Sequence, residues 1–395
     1  MTMVTLDDVE EARTAMLQKR PREGGGLLEP ILHTPCVRAP WLEELAMKSW
    51  GTSARDGLEV RLKLETWQET ASFKQRGAFN KLRCLRRDNP DARIRVYTAS
   101  AGNHAQGVAR HAKDFCIRAT IIMPTGTPGV KVENTRRLLG DQEGVVLHGA
   151  DYDVAKKEAE RLLNHDRAEN PADVVEMVHA FDDPAVIAGQ GTLGLEILED
   201  WPEAEVVVAG VGGGGLISGI AVALKERAAR GGGAAAAVIG VESAAEPAAY
   251  LDRKHGGRDE PLDIKVRGMK LGTIADGISV AAVGEHTMRF LRDAAYVDEL
   301  LTVQESEIAS AIALMLRMGK MQIEGACATT VAALLNAANR EHFRGKKVVL
   351  VLSGGNLDPA RLAQIIHWRE LADHVERTGQ HPDDAWDRAM QPPAA

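Results

Sequence analysis

The chain has 395 residues, with 48 lysines and arginines against 56 aspartates and glutamates, for a formal net charge of −8. That length exceeds one small core and points to two domains, and the acidic balance leaves no basic surplus to neutralise a phosphate backbone, so nucleic acid is excluded as an expected partner. Hydrophobic residues make up 45% and aromatics only 4%, while glycine is in excess at 38 residues, so we expect an aliphatic core and glycines gathered where backbone must approach something closely.

The first residues, MTMVTLDDVEEARTAM, turn acidic at Asp7 and lack an apolar h-region, which predicts no secretory signal and a cytoplasmic protein. Cys36, Cys84, Cys116 and Cys327 lie far apart with no CxxC pair, the pattern of free thiols rather than of a disulfide framework or zinc site. Short β-branched runs then recur with helical patterns between them. Strands are predicted at 94–99, 117–123, 145–148, 205–211, 237–242 and 347–353, with a helix over 153–165. Continuous apolar strands alternating with helices indicate an α/β fold with parallel sheets covered on both faces. The first three strands make a small unit between about residues 86 and 176, and the last three a larger sheet. The segment 230–237, RGGGAAAA, reads as a flexible turn, and the 39 residues after Asn356 are helical at first and then Pro-rich. Val206 to Leu224 is uncharged over 19 residues, about the length of a membrane span, but its six glycines suit a strand, loop and helix instead.

Four segments carry chemistry. In KLETWQETASFKQRGAFNKL (63–82), Lys74 opens a helical pattern among Glu65, Gln68, Thr70, Ser72, Phe73 and Gln75. One lysine among small polar groups and an aromatic suits Schiff-base formation, which needs an amine that can deprotonate; an ordinary surface lysine is the bland alternative. In YTASAGNHAQGVARHA (97–112), the loop Ser100–His104 would present backbone N–H groups at a helix start, suited to a carboxylate, or Asn103 is a plain N-cap. GVGGGG at 210–215 follows a strand and precedes a helix, the form of a phosphate cradle. The same run reads as GxGxxG with Glu242 ending the next strand, so a nicotinamide-dinucleotide enzyme competes, as does a tightly packed turn without ligand. Finally, VVLVLSGGNLD (348–358) ends a strand with Ser353 and two glycines, where α/β sheets place their ligands. A phosphate-bearing cofactor that also forms an imine accounts for all four; pyridoxal 5′-phosphate meets that demand, and a dinucleotide leaves the lysine unexplained.

The set ETASFKQRGA, SAGNHAQGVA, AVIAGQGTLGLEI, VGGGGLISGIA, GTIADGISV, IEGA and SGGN, in that order over about residues 29 to 358, resembles the threonine and serine dehydratases of the fold-type II pyridoxal-phosphate enzymes. The resemblance implies a two-domain fold like the tryptophan synthase β-subunit, each domain an open, mainly parallel sheet flanked by helices. Residues 1–85 and 177–358 would form the large cofactor-binding domain, 86–176 the small mobile domain, and 359–395 a helical tail without a regulatory domain. It implies that Lys74, beside Phe73, forms the imine and is the catalytic base. Asn103 would contact the phenolic oxygen, Gly212, Gly213, Gly214, Gly215 and Leu216 would hold the phosphate, and Ser353 would meet the pyridine nitrogen. Ser72, Ser100, Gly102, Asn103 and His104 would hold the substrate carboxylate, with Gly277 lining the site.

Departures narrow the branch. Gln75 stands where threonine and cysteine synthases usually carry Asp, and Ala101 where serine racemases carry a second serine, so elimination is favoured over racemisation. The usual TGSFK reads TASFK, with Ala71 for Gly, and HTPCVRAPW (33–41) replaces the usual TPL segment. The VEP pattern that often accompanies a bound cation reads VES, with Glu242 kept and Ala-Ala-Glu246-Pro247 downstream, so the metal question stays open. The implied reaction is loss of water from L-threonine to give 2-oxobutanoate and ammonia, with L-serine to pyruvate as second activity. 3-Hydroxyaspartate and the nicotinamide enzyme remain the alternatives. The implied assembly is a homodimer or homotetramer, with no membrane or nucleic-acid partner.

Overall fold

The computed structural model describes residues 3–18, 20–21, 27–28, 31–52, 57–255, 260–267, 269 and 272–378. Their strands are β1 (Arg20–Pro21), β2 (Leu27–Leu28), β3 (Cys36–Arg38), β4 (Glu59–Leu64), β5 (Ile94–Ala99), β6 (Arg118–Met123), β7 (Val145–Leu147), β8 (Val174–Met177), β9 (Val206–Gly210), β10 (Ala237–Ser243), β11 (Glu299–Val303) and β12 (Lys347–Leu352). The chain divides into two compact units, one of Met1–Thr34, Trp67–Glu199 and Ser218–Ala235, the other of Pro35–Thr66, Asp200–Ile217 and Ala236–Ala395.

The first unit is built on a four-stranded sheet in the order β7-β6-β5-β8, parallel throughout. Successive side chains of a strand point to opposite faces, and here both faces are covered. Ile94 and Val96 of β5, with Ala119, Ile121 and Met123 of β6, pack with Phe79, Leu82, Val108 and Ala109. Tyr97, Ala99 and Ile122 pack on the other side with Ala155, Ala159 and Leu163. This unit is wider than residues 86–176 because helices from outside that range pack into it. Gly77 and Gly189 let the helices Lys74–Asp88 and Pro184–Asp200 touch backbone to backbone: a Cβ on Gly189 would lie 2.6 Å from the Arg76 carbonyl oxygen. At the same crossing the Arg76 guanidinium grips the Glu196 carboxylate at 2.8 and 2.9 Å, with both side chains fully buried.

The second unit holds a six-stranded sheet in the order β11-β10-β9-β12-β4-β3. All pairs are parallel except β3 with β4. β9 and β12 sit in its middle, and their unbroken apolar runs are buried, as expected of parallel strands covered on both faces. The almost wholly buried helix Gly325–Leu335 packs along β9 to β12. β4 escapes a reading by apolar runs, since EVRLKL carries three charges. Its Lys63 is nevertheless fully buried, with Nζ 2.9 Å from Asp200. The uncharged stretch Val206–Leu224 is β9, a loop and the start of the helix Gly215–Gly231. Among the described residues no helix is long and apolar enough to cross a membrane.

Candidate active site

In the first unit a hydrogen-bonded loop delivers Lys74. Gln75 spans it: its Oε1 accepts from the Thr70 N–H at 3.3 Å, and its Nε2 donates to Gln68 Oε1 at 2.6 Å. Gln68 in turn donates to the Leu32 carbonyl. The polar residues crowded around the lysine thus form one buried scaffold rather than a solvated face. Ala71 sits at φ +51°, left-handed backbone that favours glycine, so the loop is held against a local preference. Ser72 Oγ, fully buried, accepts from the Lys74 N–H at 3.2 Å. The Lys74 side chain reaches forward, its Nζ donating to the Ala180 carbonyl at 2.8 Å and lying 5.2 Å from the Phe73 ring centre.

The helix Asn103–Asp114 starts beside this loop. Gly107 permits the approach, for a Cβ there would lie 3.1 Å from the Lys74 carbonyl oxygen. Ahead of the helix, the Gly102 N–H donates to Ser100 Oγ at 3.2 Å. Ser72, Phe73, Lys74 and Ser100–His104 are therefore brought together in one unit. His104 is buried with Nε2 3.0 Å from the Val178 carbonyl, and a carbonyl only accepts, so Nε2 carries the proton. Burial first, then the Lys74 charge, pushes its pKa down to about 3. Because the folded-state pKa is depressed, this stability is fully present above about pH 6.5 and is lost as pH falls towards 3. Urea unfolding should therefore show about 2 kcal/mol less stability from this residue at about pH 4.5 than at neutral pH, and His104→Gln should flatten that slope.

The turn Val178–Asp183, which sequence reading passed over, closes this half. Besides Val178 and Ala180, it supplies Asp183, whose Oδ1 accepts from the N–H groups of Ala185 and Val186 and so caps the helix Pro184–Asp200. Asp followed by Pro ahead of a helical pattern is the signal that marks it.

In the second unit β9 runs into the glycine loop, at whose end the helix Gly215–Gly231 begins. Gly214 has φ +93°, and a Cβ there would meet Thr287 at 2.8 Å; one on Gly212 would lie 2.9 Å from the Ile278 backbone. The Gly213 carbonyl accepts from Thr287 Oγ1 at 2.5 Å and from the Gly284 N–H at 3.2 Å. A trans peptide sets C=O and N–H on opposite sides, so this anchoring turns the Gly214 N–H away from Thr287, at the positive end of a helix. An N–H group set at a helix start in this way could hold an anion. Thr287, unmarked in the sequence, orients it. Thr287→Val should raise the Kd of the apoprotein for pyridoxal phosphate about tenfold and leave the weaker binding of phosphate-free pyridoxal unchanged, as read by fluorescence titration.

Leu216 is buried at the helix start. Gly277 lies in the turn Asp276–Ile278, where a Cβ would come 3.1 Å from Ala326 and 3.5 Å from Glu324 Oε1. Buried Ser353 ends β12, and the Gly354 carbonyl beside it accepts from the Glu324 N–H at 3.1 Å. The start of the helix Gly325–Leu335 thereby brings Gly277 and Ser353–Gly354 together, while Glu324 joins them as a residue that sequence reading met only within the IEGA motif.

Glu242 answers the dinucleotide reading. Its two oxygens accept from the N–H groups of Ala249 and Tyr250 at 2.8 and 2.7 Å, and burial pushes its pKa up to about 8. A carboxyl engaged in this way is not presented to a ribose. No group of three or more metal-ligating side chains suited to an ion occurs among the described residues.

Residues 27–354 match the family model described as pyridoxal-phosphate dependent enzyme. An L-threonine ammonia-lyase of Thermotoga maritima is 40% identical over 366 residues, covering 92% of this chain and 79% of that protein. The structure of the processed form of threonine deaminase isoform 2 from Solanum lycopersicum aligns with a TM-score of 0.73 and 30% identity, over 91% of this chain and 93% of that one. A serine racemase from Dictyostelium discoideum aligns with a TM-score of 0.71 and 29% identity, over 90% and 100% respectively.

Proposed function

We propose, from the premise that the chain belongs to the pyridoxal-phosphate-dependent enzyme family, that it is a threonine ammonia-lyase: water is eliminated from L-threonine, and the released enamine takes water back on hydrolysis to give 2-oxobutanoate and ammonia, with L-serine to pyruvate as a second activity. The observation that carries the reading is Lys74 on its polar scaffold, its amine aimed at the Ala180 carbonyl, in a chain 40% identical to an L-threonine ammonia-lyase. When bound, the cofactor supplies a carbonyl for an amine and an electron sink for the Cα electrons.

The chain's own residues do the rest. Lys74 Nζ would take the Cα proton as general base. Ser72 and the loop Ser100, Gly102, Asn103 and His104 hold the substrate carboxylate through hydroxyls and N–H groups at a helix start, with Gly277 lining the site. The His104 imidazole stays neutral, its one N–H spent on the Val178 carbonyl, so it adds no charge beside the carboxylate. Gly212–Gly215 with Leu216 would bind the phosphate, Asn103 would meet the phenolic oxygen, and Phe73 flanks the lysine. Ser353 would meet the pyridine nitrogen with a neutral hydroxyl, which could not support full positive charge there and would favour loss of the β-hydroxyl over transamination or racemisation. Ala101 offers no acid to reprotonate Cα from the opposite face, consistent with elimination.

The test is a panel of β-hydroxy amino acids assayed for 2-oxo acid and ammonia. L-threonine should give the highest kcat/KM and L-serine the second. A preference for 3-hydroxyaspartate would overturn the substrate assignment, and a colourless protein that binds NAD would overturn the enzyme class. We further propose a cytoplasmic homodimer or homotetramer acting on a small-molecule substrate, to be checked by sedimentation.

A further inference from the structure

The turn Val178–Asp183 joins β8 to the helix Pro184–Asp200 and is held from several directions. Val178 accepts from His104 and Ala180 accepts from Lys74, while Asp183 caps the helix and pairs with Lys81 at 2.7 Å. Between them lies His179. Its Nδ1 accepts from the backbone N–H of Asp182 at 2.9 Å and of Phe181 at 3.4 Å. Backbone N–H groups only donate, so Nδ1 carries no proton and the ring is the neutral Nε2–H form. The Phe181 ring packs edge-on against the imidazole at 4.6 Å and 90°.

We propose that His179 is a positioning residue: its neutral imidazole closes the turn that aims the Ala180 carbonyl at the Lys74 amine, and so sets where that amine stands when it meets the cofactor aldehyde. The proposal rests on the reading of Lys74 as the imine-forming lysine. Ala180 follows His179 directly and Lys74 Nζ is 2.8 Å from its carbonyl, so rotation of that peptide moves the only atom through which His179 reaches the amine in this scheme. The charged and titratable groups that face the ring are Asp182, Lys156, Lys74 and Asp183, together with the His104 imidazole. Burial and the two lysines oppose protonation while the two aspartates favour it, and the balance lies below the ordinary histidine value. Protonation at Nδ1 would set a third N–H against two others, and the turn would have to open.

The experiment follows imine formation rather than turnover. Apoprotein of the wild type, His179→Leu and His179→Asn is mixed with pyridoxal phosphate, and growth of the visible Schiff-base band is timed. Leucine fills the space without an acceptor, and the rate should fall about tenfold, the equivalent of about 1.4 kcal/mol. Asparagine can accept from N–H groups two and three residues onward, and the rate should stay within about threefold of wild type. Lowering the pH from about 8 to about 5 should reveal in the wild type an acid step that the asparagine variant lacks, because asparagine does not titrate.

A leucine variant as fast as wild type, an asparagine variant as slow as leucine, or the same acid step in wild type and asparagine would each overturn the proposal. Should circular dichroism show the leucine variant unfolded, the asparagine rate and the pH comparison decide. Failure of the underlying reading looks different. A band that survives Lys74→Ala removes the lysine and this proposal together. A normal wild-type band with no 2-oxo acid from any amino acid removes the substrate assignment and leaves the positioning result standing.

Discussion

Lys74→Ala is expected to abolish ammonia release from L-threonine, a loss on the order of 10³-fold or more, given what a positioned general base alone contributes. Two functions disappear with one amine: the covalent anchor and the base at Cα. The helix should survive, because alanine is the best helix former and the residue's backbone contact to Ser72 Oγ uses only the main-chain N–H. Cofactor should still be retained in part, through the glycine loop anchored by Thr287, but without the Schiff-base band. The measurements are 2-oxo acid release, the visible spectrum and the melting temperature. Activity within tenfold of wild type would remove Lys74 from its role. A variant that melts far below wild type would instead mean that the Nζ contact to Ala180 holds the fold as well as the chemistry.

Glu196→Leu should be the most damaging stability variant, costing about 3–5 kcal/mol. Glu196 is fully buried; its carboxylate receives two hydrogen bonds from the Arg76 guanidinium, and Arg13 lies 3.6 Å away. Removing the carboxylate takes from Arg76, which is also fully buried, the anionic partner held at 2.8 and 2.9 Å, while the Thr192 hydroxyl and the Leu32 carbonyl are neutral acceptors. Arginine cannot shed its proton to relieve the burial. Replacing both partners, Arg76→Met with Glu196→Leu, should recover most of the loss, since an apolar pair of similar volume often matches a buried ion pair. Urea unfolding of the two variants checks both statements. Because Arg76 stands two residues after Lys74, the single variant should also lose activity and the double variant should regain it in part.

Much of the molecule was legible in the sequence because its signals are local. All six predicted strands occur, shifted by at most one residue at either end, since an apolar β-branched run between turn residues needs no distant information. One missed strand has a distant cause. β4 carries alternating charges and is a central strand only because Asp200 compensates buried Lys63, 137 residues further along the chain. The glycine excess was only partly legible. Composition predicts close approach and the motifs point to ligand loops; yet Gly77, Gly189, Gly191 and Gly219 serve contacts between helices. A glycine reads the same in sequence whether its neighbour is a phosphate or another backbone.

The sequence by itself determined the α/β class, the lysine-bearing loop and the glycine turn, because each is written in contiguous residues whose chemistry depends on type and spacing. Tertiary structure alone decided how those pieces are aimed. It placed the Ala180 carbonyl against Lys74 and the Thr287 hydroxyl against the Gly213 carbonyl, and it set two backbone N–H groups on the Glu242 carboxylate. These partners lie 106, 74, 7 and 8 residues apart along the chain. A hydrogen bond acts over about 3 Å, so its partner exists only after the chain has packed.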